Sequence, residues 1–517
     1  MNSKITRRDF LKLASTLPPV LSLPPSVLRS TEDQTAAPNI LVVLFDAWSA
    51  HNISLYGYPR RTTPNLEQLA EKAIVYHNHY AGGHFTVPGT ASLLTGALPW
   101  RHNIYHERFK LKEDYQQTNL FGLFPDYRRF AYTHNLLAED IIRQMRDSLD
   151  TIKPWQDLYY WKVPIQRMFL EDSDTSSLSW IRSMEMSENG FANSLFFSRV
   201  WSHLTQQSAQ DLADTYPLGL PKFSSSYAFI LEEAIDWLSV QISGNSEPQI
   251  TYYHLLPPHD PYNTRVDFFQ QFTGDGFTPS PKPEHFLTQG INDPDNLANR
   301  TAYDEFILLV DSEIRRLFNQ LASKGVLENT WVVLTSDHGE IFERGLRTHD
   351  RPSFFEPLAR VPLLIFPPGQ QNRVDIHTPT SAVDILPTLL SITGKPIPAA
   401  VEGKVLPPFG QEDPNRSIFQ IDSQFSGFKL PDPTGSIMVR KGSHKLICHF
   451  GNAQYYEVLQ GEPVFELYNL EEDPEELVNL FPEEINIASQ LLDEINAKLA
   501  SEAIDLQIHF PANPAKN

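Results

Sequence analysis

Two apolar runs, each ending in an aspartate, constrain this chain more than any other feature. Residues 39–45 read Asn-Ile-Leu-Val-Val-Leu-Phe and stop at Asp46; residues 330–336 read Thr-Trp-Val-Val-Leu-Thr-Ser and stop at Asp337. Neither run alternates apolar with polar, so each reads as a strand buried on both faces, the habit of parallel sheets. Residues 250–256 and 361–366 read similarly. Helical patterns lie between them. Thr63-Pro64 is a cap followed by a first-turn proline, ahead of Leu66, Leu69, Ala70 and Ala73. Phe306, Leu309, Val310, Ile314, Leu317 and Leu321 keep helical spacing, and Gly325 is a stop signal. Strands alternating with helices predict an α/β fold with helices on both faces of the sheet. Ligands of such sheets bind beyond the carboxyl ends of the strands, where Asp46 and Asp337 stand. If their strands are neighbours, both carboxylates enter one crevice.

Charge and composition limit what that crevice binds. The formal charge is −21, and the first thirty residues contribute +4 (Lys4, Arg7, Arg8, Lys12 and Arg29 against Asp9), leaving −25 on the remainder. A surface of that sign repels nucleic acid and anionic membranes, so neither is an expected partner. An anionic substrate then needs a local positive centre, which a bound metal supplies. The single cysteine, Cys448, excludes an intramolecular disulfide framework and zinc sites built from several thiolates.

Thr6-Arg7-Arg8-Asp9-Phe10-Leu11-Lys12, followed by a weakly apolar stretch broken by Pro18, Pro19, Pro24 and Pro25, resembles a twin-arginine export signal. The expectation is therefore a periplasmic or extracellular protein, with the twin-arginine translocase as a transient partner and no stable membrane span. Residues 1–37 read as signal and linker, and 38–400 as the catalytic domain, with an insertion around 105–245. Residues 401–517 read as a smaller C-terminal α+β subdomain, with strand-like 436–440 and 445–449 and a terminal helix near 484–499. Aromatic clusters in the insertion (Trp155, Tyr159, Tyr160 and Trp161, then Phe196, Phe197 and Trp201) read as core.

The chemistry sits in a few short segments. Asp46, Asp337 and His338 form a hard-to-borderline ligand set with room for a fourth group, suited to one divalent ion, Mn²⁺, Zn²⁺, Ca²⁺ or Mg²⁺. Thr86 precedes Pro88 at an expected helix start, where the positive helix end favours an alkoxide and an incoming anion. His259, in Pro257-Pro258-His259-Asp260-Pro261, is placed to protonate a leaving group, and His349 and Arg351 to bind nonbridging oxygens.

Read together, these segments resemble the sulfatase family of the alkaline-phosphatase superfamily. The likeness runs from Pro38 to about Leu480. Its matching blocks are Tyr56-Gly57-Tyr58, Thr62-Thr63-Pro64-Asn65-Leu66, the nucleophile signature from Thr86 to Gly96, and Ser336-Asp337-His338-Gly339. Arg360-Val361-Pro362-Leu363, Asp384–Leu390 and Glu466-Leu467-Tyr468-Asn469-Leu470 match later ones. The resemblance implies an alkaline-phosphatase-like, mixed but mostly parallel sheet. It implies a metal shell of Asp46, Thr86, Asp337 and His338, Thr86 as nucleophile, and His259 and His349 around the substrate anion. The departures carry as much information. Sulfatases convert a Cys or Ser at the nucleophile position to formylglycine, and threonine is not a substrate for that conversion. The family's Ser and Arg after the signature Pro are Gly89 and Thr90, its second Asp after the first strand is Ala47, and Lys is missing between Gly345 and Glu356. Threonine nucleophiles occur in relatives acting on phosphorus. The expected activity is therefore metal-dependent hydrolysis of a phosphate mono- or diester through a Thr86 covalent intermediate. The substrate would be a small-molecule, glycan or lipid-headgroup ester. Sulfate-ester hydrolysis and non-catalytic binding of sulfated or phosphorylated glycans are the alternatives.

Overall fold

The computed structural model describes residues 37–160, 212–223, 227–243, 247–423, 433–481 and 483–511. The export segment and the expected Trp161, Phe196, Phe197 and Trp201 clusters lie outside those residues.

Eight strands form the main sheet: β1 (Asn39–Phe45), β2 (Ile74–Tyr76), β4 (Arg128–Thr133), β5 (Thr151–Ile152), β6 (Gln249–Leu255), β7 (Thr330–Thr335), β10 (Leu363–Phe366) and β11 (Val374–Ile376). Two small pairs, β3 (His79–Tyr80) with β12 (Thr380–Ser381) and β8 (Ile341–Glu343) with β9 (Leu346–Thr348), flank it. The order across the sheet is β11-β2-β10-β7-β1-β6-β4-β5. β1 is central and pairs in parallel with both β6 and β7, Leu44 lying opposite His254 on one side and Thr335 on the other. The two aspartate-terminated strands are thus neighbours, as the crevice requires.

Alternation along β1 builds two cores. Ile40, Val42 and Leu44 face the helices Thr86–Thr95, Leu136–Gln144 and Ile385–Ile392; Leu41, Val43 and Phe45 face Pro64–Leu69, Leu231–Ser243 and Asp293–Ser323. A strand walled on both sides has no use for polar residues, which explains the uninterrupted apolar runs. One strand departs from expectation: β10 runs antiparallel to both β7 and β2. Its apolar run records burial on two faces, which parallel and antiparallel strands in this position share. A second local departure is the Pro64 helix. Thr63 makes no cap bond; Asp311, in the long helix, instead accepts the backbone N–H of Asn65 at 2.9 Å and of Leu66 at 2.7 Å.

The C-terminal sheet is antiparallel, β13 (Ile418–Asp422), β14 (Gly435–Lys441), β15 (His444–Phe450) and β16 (Val464–Asn469) in order. The helix Ile485–Ser501 covers one face through Ala488, Leu491, Ile495 and Leu499. The other face, through Met438, Ile447 and Tyr468, packs on Tyr80, Leu346, Phe354 and Phe355 of the loops around the crevice. Of the expected insertion aromatics, Trp155 and Tyr159 are core, packed with Phe229 and Leu256.

Candidate active site

Asp46, Asp337, His338 and Thr86 converge at the carboxyl end of β1, all of them buried. Backbone geometry sets the carboxylates. The Ser336 hydroxyl donates to the Phe45 carbonyl at 2.6 Å and accepts the Trp48 N–H at 2.9 Å, locking the ends of β7 and β1 together. Asp337 Oδ1 accepts the N–H of His338 at 3.1 Å and of Ala47 at 3.4 Å. Its other oxygen, Oδ2, and Asp46 Oδ1 are buried with no hydrogen-bond partner among the described residues, although His338 Nε2 stands 3.3 Å from Asp46 Oδ1. Two such carboxylate oxygens in a buried site are costly unless a cation takes them up. The residues present therefore fit a divalent metal, with Asp46, Asp337 and His338 among its holders.

Two further residues complete the cluster, and neither was expected. His254, at the end of β6, brings Nε2 to 3.0 Å from Asp46 Oδ2 and 3.6 Å from Asp337 Oδ2. Asp46, His254 and Asp337 offer ligand atoms all within 4.8 Å of one another. Asn135 caps the helix Leu136–Gln144 through its Oδ1 and donates from Nδ2 to Asp46 Oδ2 at 2.6 Å and to Thr86 Oγ1 at 3.2 Å. The strand-end rule that selects Asp46 and Asp337 also selects His254; for Asn135 the signal was its place as a helix cap just after a strand.

Thr86 is the first residue of its helix, with Oγ1 3.4 Å from His338 Nε2. The helix presses onto the carboxylate cluster: a Cβ at Gly89 would sit 2.3 Å from the Asp337 carbonyl oxygen, so the family's serine does not fit here. Ala47 takes a left-handed conformation at φ 57 and brings no ligand to the site.

A row of histidines lines the crevice beside this cluster. The His338 and His349 rings lie 4.3 Å apart and those of His349 and His259 4.8 Å apart, centre to centre. His259 Nδ1 donates to the Asp260 carbonyl at 2.5 Å, leaving Nε2 as its working nitrogen. His349 Nδ1 lies 3.4 Å from Glu340, whose carboxyl is pushed up to about 8 by burial. Arg351, two residues beyond, is half-buried. Burial opposes charge on Asp46, but His259, His254 and His338 hold its carboxyl well below the usual range. Burial and the charge of Asp46 raise Asp337. His338, against its burial, is lifted to about 9 by Asp337 and Asp46. The arrangement is an excess of negative charge around a small centre, with a hydroxyl at its edge. It suits metal-assisted displacement at an anionic ester.

The sulfatase family model matches residues 38–127 and 176–395, and a second, for the C-terminal part of N-sulphoglucosamine sulphohydrolase, matches 345–503. The chain belongs to the sulfatase family and is a hydrolase of ester substrates. It is 24% identical over 470 residues to a choline-sulfatase of Rhizobium meliloti (strain 1021), covering 86% of this chain and 83% of the relative. It is 22% identical to a multifunctional alkaline phosphatase superfamily protein of Trinickia caryophylli, covering 86% of this chain and 91% of the relative. Its fold matches the phosphonate monoester hydrolase of Agrobacterium radiobacter with a TM-score of 0.58 at 20% identity, over 90% of this chain and 95% of that one.

Proposed function

We propose that this chain hydrolyses a phosphate mono- or diester by a two-step route with Thr86 as nucleophile. The observation that carries the reading is the Thr86 hydroxyl itself. It lies beside His338 and Asn135 at the mouth of the carboxylate cluster, and no conversion of threonine to formylglycine exists to serve sulfate chemistry. A divalent cation in the cluster supplies charge neutralisation and a lowered hydroxyl pKa, each about several kcal/mol of barrier.

The chain's own residues do the rest. Asn135 donates to Thr86 Oγ1, favouring its anionic form once the hydroxyl proton has gone to solvent. Oγ1 attacks phosphorus in line as the bond to the ester oxygen breaks. With Nδ1–H committed to Asp260, His259 in its imidazolium form gives its Nε2 proton to the departing oxygen. The same nitrogen, now neutral, takes a proton from the water that cleaves the phosphothreonine. His349 lines the anion's other side. Relatives named for chemistry at sulfur and at phosphorus, a choline-sulfatase and a phosphonate monoester hydrolase, support the class, and the threonine tips the balance to phosphorus.

The twin-arginine-type segment at residues 6–12 supports export, which places the reaction outside the cytoplasm, on a small-molecule, glycan or lipid-headgroup ester. Purified, metal-loaded protein assayed side by side on an aryl phosphate, a phosphodiester and an aryl sulfate tests the reading. Phosphoester turnover should dominate, and Thr86→Ala should lose about three orders of magnitude in kcat with its metal retained. Faster sulfate turnover assigns the protein to sulfate esters. Saturable binding without turnover makes it a binder.

A further inference from the structure

Each carboxylate of the cluster keeps one oxygen for the crevice and gives the other to the protein. Asp337 Oδ1 takes the N–H groups of His338 and Ala47, at 3.1 and 3.4 Å. Asp46 Oδ2 takes an N–H of Asn135 Nδ2 at 2.6 Å and stands 3.0 Å from His254 Nε2. An ionised carboxylate only accepts, so Nε2 carries a proton and His254 is the donor. Asp46 Oδ1 and Asp337 Oδ2 are the two oxygens left, both buried and with no hydrogen-bond partner among the described residues.

Strand β6 is built to hold that donor. Its register sets Tyr252 opposite Val42 and His254 opposite Leu44, and the Asp46 N–H donates to the Leu255 carbonyl at 2.9 Å. The end of β6 therefore carries His254 directly beside Asp46. Two residues apart in a strand, Tyr252 and His254 share a face. The Tyr252 hydroxyl lies 3.2 Å from His254 Nδ1 and pins the ring at its far nitrogen. A phenol both donates and accepts, so it serves that nitrogen with or without a proton. Both side chains are fully buried, and the Tyr252 ring meets Phe121 edge-on with centroids 6.3 Å apart. A ring whose Nε2 proton is committed to Asp46 has no lone pair there for a cation. His338 is the opposite case: its Nδ1 donates to the Gly339 carbonyl at 2.9 Å, which leaves the Nε2 lone pair free to ligate.

We propose that His254, pinned by Tyr252 and acting alongside Asn135, is a positioning residue that withholds Asp46 Oδ2 from the cation, so that the centre selects a smaller divalent ion of the Mn²⁺ or Zn²⁺ kind against Ca²⁺. Ca²⁺ takes about six to eight oxygens and commonly both oxygens of a carboxylate. Here Asp46 and Asp337 have one free oxygen each, and Ala47 brings no ligand. The remaining groups at the cluster are the His338 imidazole and the Thr86 hydroxyl, 3.4 Å apart. Few oxygens and an imidazole nitrogen suit an ion of lower coordination number. The inference rests on the metal reading of the cluster and is independent of which ester is cleaved.

The test is calorimetric titration of the full-length, chelator-stripped protein with Mn²⁺ and, separately, with Ca²⁺. Mn²⁺ is the stringent probe, since it stands lowest in the affinity order of the first-row ions. The wild type should bind Mn²⁺ the more tightly. His254→Leu frees Oδ2 and should shrink the ratio of the Ca²⁺ to the Mn²⁺ dissociation constant about 10- to 100-fold. His254→Gln, whose amide still donates, should keep most of that ratio. Tyr252→Phe removes one hydroxyl from the core; it should shift the ratio the same way by less, and it serves where His254→Leu does not fold. Bound Co²⁺ gives a second readout without turnover: the wild type should show the intense visible bands of a low-coordinate ion, and His254→Leu weaker ones as Oδ2 joins. A wild type that prefers Ca²⁺, or a ratio unchanged or enlarged in the variants, overturns the proposal while the ester assays still stand. Equal losses in His254→Gln and His254→Leu show a packing role and overturn it too. A protein that takes up neither ion sinks the metal reading, and the proposal with it.

Discussion

At the scale of single residues, the site is organised around buried carboxylate oxygens. Asp46 Oδ1, Asp337 Oδ2 and both oxygens of Glu340 make no hydrogen bond among the described residues of the crevice, while Asp46 Oδ2 and Asp337 Oδ1 find donors in Asn135 and the backbone of His338. Gly89 shows how closely that crevice is packed. On an exposed helix, Gly→Ala gains about 1 kcal/mol. Here the new methyl would lie 2.3 Å from the Asp337 carbonyl oxygen, so Gly89→Ala should instead cost about 1–3 kcal/mol. It should also weaken metal uptake by shifting Asp337. Thermal unfolding with a metal titration checks both, and a stabilised variant with unchanged uptake would contradict the packing described. The strand-end aspartates and Thr86 were legible in the sequence because each sits in a short motif at a point the fold dictates. His254 and Asn135 went unread, although each carried a weak signal, the one as a strand end and the other as a helix cap. His254 closes an aromatic-rich strand and Asn135 is one helix cap among several, and only the register of β1, β4 and β6 brings them together.

At the scale of elements, the hairpin of β8 and β9 carries the chain from Asp337 and His338 to His349, and a buried ion cluster anchors it. Glu343 accepts from Lys282 Nζ at 2.8 Å and lies 3.1 Å from Arg300 Nη2. Burial alone would raise its carboxyl, but Lys282, Arg300 and His51 hold it down at about 2. Its folded pKa lies below the ordinary value of 4.5, so its stabilising contribution is present above about pH 4.5 and is lost as pH falls toward 2. Glu343→Gln should cost about 3–5 kcal/mol at neutral pH, because two buried cations lose their shared partner. It should also flatten the fall in stability across that acid window, as measured by denaturant unfolding at several pH values. Elements were largely readable from pattern, since the apolar runs and the helix at Asp293–Ser323 follow directly from burial. Strand direction was not: β10 is as apolar as its neighbours yet antiparallel to them, because burial on two faces does not encode orientation.

At the scale of the molecule, the charge balance and the fold point the same way. A strongly acidic chain gathers carboxylates at the carboxyl ends of its central strands, and a cation there would join three segments far apart in sequence. Metal loading should therefore raise the unfolding temperature, by about 2.7 kcal/mol of stability at a hundredfold excess over Kd, and a chelator should reverse it. Asp337→Asn should lose most of that gain. No helix among the described residues is long and apolar enough to cross a membrane. The packing of β13 on the loops around the crevice was beyond sequence reading altogether, since Gln420 meets Ala81 across more than half the chain. The proposed reaction has threonine in place of formylglycine as the attacking group. Rapid acid quench during phosphoester turnover, followed by peptide mass spectrometry, tests this most directly. The account predicts a phosphoryl adduct on the peptide bearing Thr86, absent in Thr86→Ala; an active enzyme with no adduct there, or with its adduct on another residue, would contradict it.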